Sequence, residues 1–411
     1  MRIDTQKYYT QAEGHLIALS KISSVTPPSD TRAITAYVRE FLETIPGITL
    51  EMPAEVESTP NIVASMTGLG DGGQRRLLLN GHLDTFEVVS PEKWTHSPFG
   101  GEVVNRRLFG VGVSDMKAGC ASLLTCFSWM ATHRSLWSGE LTLTLVGWEE
   151  AGGKHGTDFL LRTMPDLKNV DAALIGDVGS ARVVRFAEKG RYRFKLMAQG
   201  VPGHGAHMHK TRNAADILID AITEYKNEIA KIRPACPQNI LDAVKKAAPV
   251  SESVSGTGET KVLLNITNNI GILRAGTAPN LVPGYAEAVM DTRLPIGVSP
   301  NQIEAVLDDL ISLHPDISYQ TQMICEPLYS DPDHPLVRLL VANAEKSFKE
   351  PCAATVRVGG TDAKHLRRYG IPSYSCGVEG GNMGAPDEFV DLDELDHLVD
   401  IHLQSCYDYL Q

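Results

Sequence analysis

The chain has no apolar run approaching the roughly 20 residues that a bilayer-spanning helix needs. Its opening, "MRIDTQKYYTQAEGHLIALSKI", also lacks an apolar core followed by a cleavage site, so a cytoplasmic protein without a membrane partner is expected. Clusters of lysine and arginine are missing as well, and the formal net charge is −12. Phosphate backbones demand basic patches, which argues against nucleic acid as the main partner, although one or two local arginines can still hold a small anion. The seven cysteines are an odd number with no CxxC pair, a pattern of reduced thiols rather than a disulfide frame. No low-complexity block or internal repeat interrupts the sequence.

What remains is a globular composition, 43% apolar and 21% charged over 411 residues, long enough to predict two domains. After an amphipathic opening that includes "TRAITAYVREFLETI", three apolar runs end in polar motifs: "RRLLLNGHLD", "GELTLTLVGWEE" and "VDAALIGDVG". Each reads as a buried strand whose C-terminal end carries acidic or imidazole groups. An apolar helix, "DMKAGCASLLTCFSWMATH", lies between the first two. Strands alternating with helices predict a mainly parallel sheet with helices on both faces and its site beyond the strand ends.

From about Gly190 the rhythm changes. "RYRFKLMAQG" alternates as a half-exposed strand, "NAADILIDAITEYKNEIAKI" is an amphipathic helix, and "KVLLNITNNIGI" and "YAEAVMDTRLP" read as strands. "SPNQIEAVLDDLISLH" has a serine cap ahead of a helix. This is a small α+β unit, 190–325, inserted into an α/β domain formed by 1–189 and 326–411. The polar stretch "PVSESVSGTGETK" reads as a mobile loop.

The chemistry-bearing residues sit at these strand ends and turns. His82 and Asp84, two apart in "GHLDT", can face the same way, as a metal-binding imidazole and the carboxylate that orients it. Asp115 follows a glycine-rich turn in "GVSDMKAG", where an acid could instead cap the helix. Glu149 and Glu150 end a strand before two glycines that permit a kink, and Asp177 ends the next run. One imidazole and several carboxylates suit a borderline divalent ion, and two adjacent glutamates can divide ligation from proton transfer.

With these motifs in hand, "LLLNGHLDTFEV", "RRLFGVGVSDMKAG", "WEEAGG", "GHGAHMH", "NLVPGYAEAVMDTR", "GGTDA" and "APDEFV", the chain resembles the aminoacylase, acetylornithine deacetylase and succinyl-diaminopimelate desuccinylase family of metal-dependent hydrolases. The resemblance implies His82 and Asp177 as ligands of a first metal and Asp115 as a bridge, followed by a cis peptide. It further implies Glu149 as general base, Glu150 as a ligand of a second metal, and Asp84 as the partner of His82. The inserted unit then corresponds to a lid and dimerisation domain. His204 would reach the neighbouring subunit's site to stabilise an oxyanion. Asn280 and Arg293, with His207, Gly360 and Thr361, would contact substrate, Arg293 through its guanidinium fork.

One position departs from the pattern. The family places a second-metal histidine four residues before the glutamate of its last motif, and counting back from Glu388 gives Gly384. One tightly held ion, manganese or zinc, is therefore expected, with Asn382, Glu379 and His365 as possible substitutes for the missing ligand. The expected activity is hydrolysis of a C–N bond in a small carboxylate-bearing amide, N-acyl amino acid or dipeptide-like substrate. The alternatives are a single-metal aminohydrolase releasing ammonia from an aromatic amino acid of the nitroanthranilate type, and a non-catalytic binder on a decayed scaffold.

Overall fold

The computed structural model describes residues 2–27 and 29–411. Its larger body is built on a nine-stranded sheet. The strand Arg76–His82 runs at the centre, parallel to Glu140–Val146 on one side and Ala172–Ile175 on the other, and Ser373–Ser375 continues the parallel set. Antiparallel strands flank it: Ile62–Thr67 beside Glu140–Val146, and Val183–Glu188 beside Ser373–Ser375. The parallel pairing forecast by alternating strands and helices is thus the middle of a mixed sheet.

These central strands are apolar without alternation because both faces are covered. Leu77 and Leu79 enter one core, whereas Leu78 enters a smaller core on the opposite face. Helices Gln6–Ser20, Ala118–Thr132 and Leu392–Tyr409 pack on the first face. Thr157–Thr163 and Ala363–Arg368 cover the second. Leu123, Leu124, Phe127 and Met130 of Ala118–Thr132 are fully buried, each worth about 1.5–3 kcal/mol in removed apolar surface. That helix starts against the turn before Asp177. A Cβ on Gly119 would lie 1.7 Å from Gly176 O, so only glycine permits the approach.

Residues 190–325 contribute a four-stranded antiparallel sheet in the order Thr267–Ala275, Tyr285–Leu294, Gly190–Gln199, Ile317–Cys325. Helices Ala214–Ile229 and Pro300–Leu313 cover one face around their own core of Phe194, Tyr225, Met290 and Leu307. The predicted serine cap is present: Gln302 accepts the N–H of Ser299 at 2.9 Å.

One sequence expectation fails here. "PVSESVSGTGETK" is not a loop: Gln238–Ser255 and Glu259–Leu264 are helices, joined at Gly256 and Gly258 with φ of +98° and +95°. Their Ile240, Val244 and Leu263 belong to the core of the larger body, and Gln238–Ser255 lies against the strand Ala353–Arg357. Glu259 holds the segment through a buried ion pair with Arg185 at 3.2 Å and a short hydrogen bond from Ser251. Glu259 and Ser251, which look solvated in sequence, are spent on these contacts. "KVLLN" is correspondingly helical through Leu264, and the strand begins only at Thr267. All seven cysteines are free thiols, and five are buried.

Candidate functional site

His82 is the last residue of the central strand, and Asp177 lies two residues past the neighbouring parallel strand. Asp115 sits in the turn Val113–Lys117 ahead of the buried helix, with an extended backbone (φ −118°, ψ 93°) and a cis peptide to Met116. It does not cap that helix. Its Oδ1 lies 3.1 Å from His82 Nε2 instead. Ligand atoms of His82, Asp115 and Asp177 all fall within 4.8 Å of one another. Glu388 steadies this turn by accepting from the N–H of Gly112 and from both the N–H and hydroxyl of Ser114.

Asp84 acts differently from a simple orienting carboxylate. The nearest partner of His82 Nδ1 is the backbone carbonyl of Asp84 at 2.9 Å, and the carboxylate is 3.6 Å away. The carboxylate oxygens of Asp84 accept the backbone N–H groups of Glu149 and Glu150, each at 3.1 Å. The kink anticipated from the glycines is real, with Trp148, Gly152 and Gly153 all at positive φ. One buried residue therefore serves both sides: its carbonyl orients the imidazole, and its carboxylate holds the paired glutamates.

Two half-buried cations face this acidic group. Lys364 Nζ lies 3.1 Å from Glu149 Oε1, and Arg357 Nη1 lies 3.1 Å from Asp177 Oδ1. Burial pushes the Glu149 carboxyl upward, but Lys364, aided by His82 and Arg357, outweighs it and holds the group below its ordinary value. Glu150 has no such partner: burial, with Asp115 adding to it, raises it to about 9. Burial also raises Asp177 to about 7, partly offset by Arg357. Burial opposes a charge on His82, yet Asp115 and its acidic neighbours drive its pKa well upward. Among the described residues, Glu150 Oε1 is buried without a hydrogen-bond partner. An orphaned carboxylate oxygen beside a surplus of buried acids fits a divalent cation, and the donor set of one imidazole and carboxylates suits zinc or manganese.

The remaining predicted residues are distributed. His204 is exposed, pairs through Leu281 with the strand Leu281–Val282, and its Nδ1 accepts from Ala206 N–H. The backbone of Asn280 accepts from Gly205 at 2.8 Å, so this residue and His204 share one exposed corner. His207 is exposed with its ring 6.2 Å from that of His204. Arg293 is ion-paired to Asp291 at 2.6 Å and reaches the larger body, donating to Val358 O at 3.4 Å. Gly360 is exposed, but Thr361 is buried, with its hydroxyl bound to Glu188. Thr361 thus anchors the loop through its hydroxyl.

None of the suggested substitutes for a histidine at 384 joins the cluster. His365 is buried against Gly152 O, Glu379 is exposed, and Asn382 donates to Asp387 O. Lys364 and Arg357 were missed by sequence reasoning. The signal for Lys364 was its place directly after "GGTDA", and Arg357 ends the apolar strand that leads into that loop.

The sequence profile of peptidase family M20/M25/M40 matches residues 78–407. The chain belongs to this family. It is a metal-dependent hydrolase acting on C–N bonds. A probable succinyl-diaminopimelate desuccinylase of Staphylococcus epidermidis is 25% identical over 362 residues, covering 86% of this chain and 87% of that one. A succinyl-diaminopimelate desuccinylase of Paracoccus denitrificans is 25% identical over 358 residues, 84% of this chain and 85% of that one. In fold, the chain is similar to an M20 family metallo-carboxypeptidase of Sulfolobus solfataricus, with TM-score 0.78, 17% identity and coverage of 97% and 99%. A dinuclear metal-binding M20 peptidase of Bacillus subtilis has TM-score 0.63 at 15% identity, with 98% and 99% covered. Among the described residues no helix is long and apolar enough to cross a membrane.

Proposed function

We propose that this M20-family chain hydrolyses an amide or peptide-like C–N bond in a small carboxylate-bearing substrate. The observation that carries this reading is the convergence of His82, Asp115 and Asp177 to within 4.8 Å at the C-terminal ends of parallel strands. These three residues would hold one divalent ion, manganese or zinc. Such an ion supplies, when bound, Lewis acidity toward the scissile group and a more acidic water. Glu149 removes the water's proton and delivers it to the leaving nitrogen. Lys364 supports that role by keeping Glu149 ionised and fixed in place. Asp84 sets the backbone from which Glu149 and Glu150 project.

Glu150 faces a second position whose histidine is replaced by Gly384, so that position binds an ion weakly. The shortage of ligands there also favours a second reading, a single-metal aminohydrolase that releases ammonia from an aromatic amine. His204 belongs to the neighbouring subunit's site in a homodimer. Val201, Met208, Leu281 and Tyr285, exposed around it, support such an interface. Arg293 binds the substrate carboxylate by exchanging Asp291 for it, with Asn280, His207 and Gly360 nearby in the closed arrangement.

The test is steady-state hydrolysis of N-acyl amino acids and dipeptides by the manganese- or zinc-loaded protein and by Glu149→Ala, with ammonia release from aromatic amines in parallel. Loss of about 10²–10⁴-fold in the variant is expected for removal of a general base. Unchanged activity would remove Glu149 from that role, and ammonia release alone would select the aminohydrolase.

A further inference from the structure

A cavity of about 520 Å³ opens next to the Asp177 turn, between Val178, the segment 255–262 and the strand end at Arg357. Val262, Val358 and Met383 line it and are respectively 39%, 43% and 53% exposed. Three large apolar side chains turned toward solvent around one opening are unusual for a surface that has no occupant. The wall is built rather than incidental. Arg185 is buried and donates to Glu259, Ser255 and Val356 O, which pins the segment 255–259 in place. Lys189 Nζ donates to the carbonyl of Val262 at 2.6 Å.

Charge distinguishes the interior of the cavity from its rim. Inside, the guanidinium of Arg185 is spent on Glu259, and that of Arg357 on Asp177 and Val178 O. Glu379 at the edge is acidic. Both guanidinium charges are already engaged with acids, so an entering carboxylate would add negative charge beside Asp177 and Glu379. At the rim the balance reverses: Arg293 touches Val358 O, and three arginines, 293, 193 and 191, crowd Asp291 at 2.6, 3.0 and 3.9 Å. This surplus of positive charge can recruit an anion next to the apolar opening.

We infer that this cavity seats an uncharged hydrocarbon or aryl group of the substrate, most simply the acyl group of an N-acyl amino acid whose carboxylate lies at Arg293. Acyl groups ending in a carboxylate, such as succinyl, are disfavoured because their charge would lie against Val262, Val358 and Met383 and close to the acids Asp177 and Glu379. The inference rests on the amide-hydrolase reading for turnover, but the cavity can be tested without it.

The experiment has two arms. In the first, kcat/KM is measured for N-succinyl, N-acetyl, N-octanoyl and N-benzoyl derivatives of one acidic, one basic and one apolar amino acid, with the wild-type protein and with Val262→Trp and Met383→Trp. Octanoyl or benzoyl compounds should exceed succinyl ones by about tenfold or more, the scale of pocket discrimination by a few methylenes. Filling the cavity should remove most of that ratio. A succinyl preference, or a ratio untouched by both variants, would overturn the inference. In the second arm, octanoate and benzoate are titrated by NMR against the wild-type protein and the two variants, whose circular dichroism verifies folding. Binding that the tryptophans abolish supports the cavity even if no acyl amino acid is hydrolysed, in which case only the amide reading fails. Absence of binding together with absence of an octanoyl or benzoyl preference overturns the inference.

Discussion

Lys364 Nζ lies 3.1 Å from Oε1 of Glu149, so the proposed base is held by a cation on a different element of the fold. Lys364 belongs to the helix Ala363–Arg368 behind the "GGTDA" loop, whereas Glu149 follows the strand Glu140–Val146. Their pairing joins two segments 215 residues apart. Lys364→Met should lower kcat by about 10–100-fold, the usual cost of losing a supporting contact at a metal site, with little change in KM. Lys364→Arg should restore part of the loss. A raised KM at constant kcat would mean that Lys364 binds substrate instead.

The Asp84 carboxylate accepts from two consecutive backbone N–H groups. In Asp84→Asn, one of the two acceptors becomes an NH₂ that opposes a backbone donor. The paired-glutamate turn should shift while the fold persists. We predict a loss of about 10–100-fold in activity or metal affinity, measured by kinetics and by metal titration. Full activity in the asparagine variant would show that the turn is held by its own glycines.

Stability should fall in mild acid because of neutral buried histidines. His402 is fully buried, with its ring nitrogens 2.9 Å from Ser122 Oγ and from Cys376 O, and burial lowers its pKa from 6.5 to about 4. His15, buried beside Tyr37, is lowered by the same cause to about 4. An unfolded histidine protonates near 6.5 while the folded one remains neutral, so between those values the unfolded state binds more protons and stability drops as pH falls. The loss at pH 4 is of order 3 kcal/mol for His402 alone. Denaturant midpoints measured from pH 7 to 4.5 should decline, and His402→Gln should flatten the slope. Equal slopes would contradict the linkage.

Gly119 makes the closest backbone approach behind the site. Gly119→Ala should force apart the helix start and the Gly176 turn, destabilising by about 1–3 kcal/mol or more and weakening metal binding together with stability. A thermal midpoint unchanged from wild type would show that the contact relaxes freely.

The strand ends that carry His82 and Asp177 were legible because strands covered on both faces read as uninterrupted apolar runs stopped by a polar motif. The turn at Asp115 was marked by its glycines, although capping and ligation could not be separated until its contact with His82 was seen. Residues 249–261 misled because serines, glycines and glutamates signal a loop, and nothing local announces that Arg185, far away in the chain, consumes Glu259 and Ser255. The sequence likewise gives no sign that the Thr361 hydroxyl is taken by Glu188 from the neighbouring strand. Lys364 stood in plain view beside "GGTDA" but gains meaning only through its distance to Glu149.

The proposed hydrolase centre holds one ion tightly, at His82, Asp115 and Asp177. A side chain at position 384 would start 3.9 Å from the ring of Phe86, two residues past Asp84, so there is room for one. The φ of +72° there costs a non-glycine residue roughly 1–2 kcal/mol, small enough for the variant to fold. The decisive measurement is metal content per chain by elemental analysis after purification without chelator, for the wild type, His82→Ala and Gly384→His. A single-ion centre predicts close to one equivalent in the wild type, almost none in His82→Ala, and a rise toward two in Gly384→His. Two equivalents in the wild type, or metal retained in His82→Ala, would contradict it.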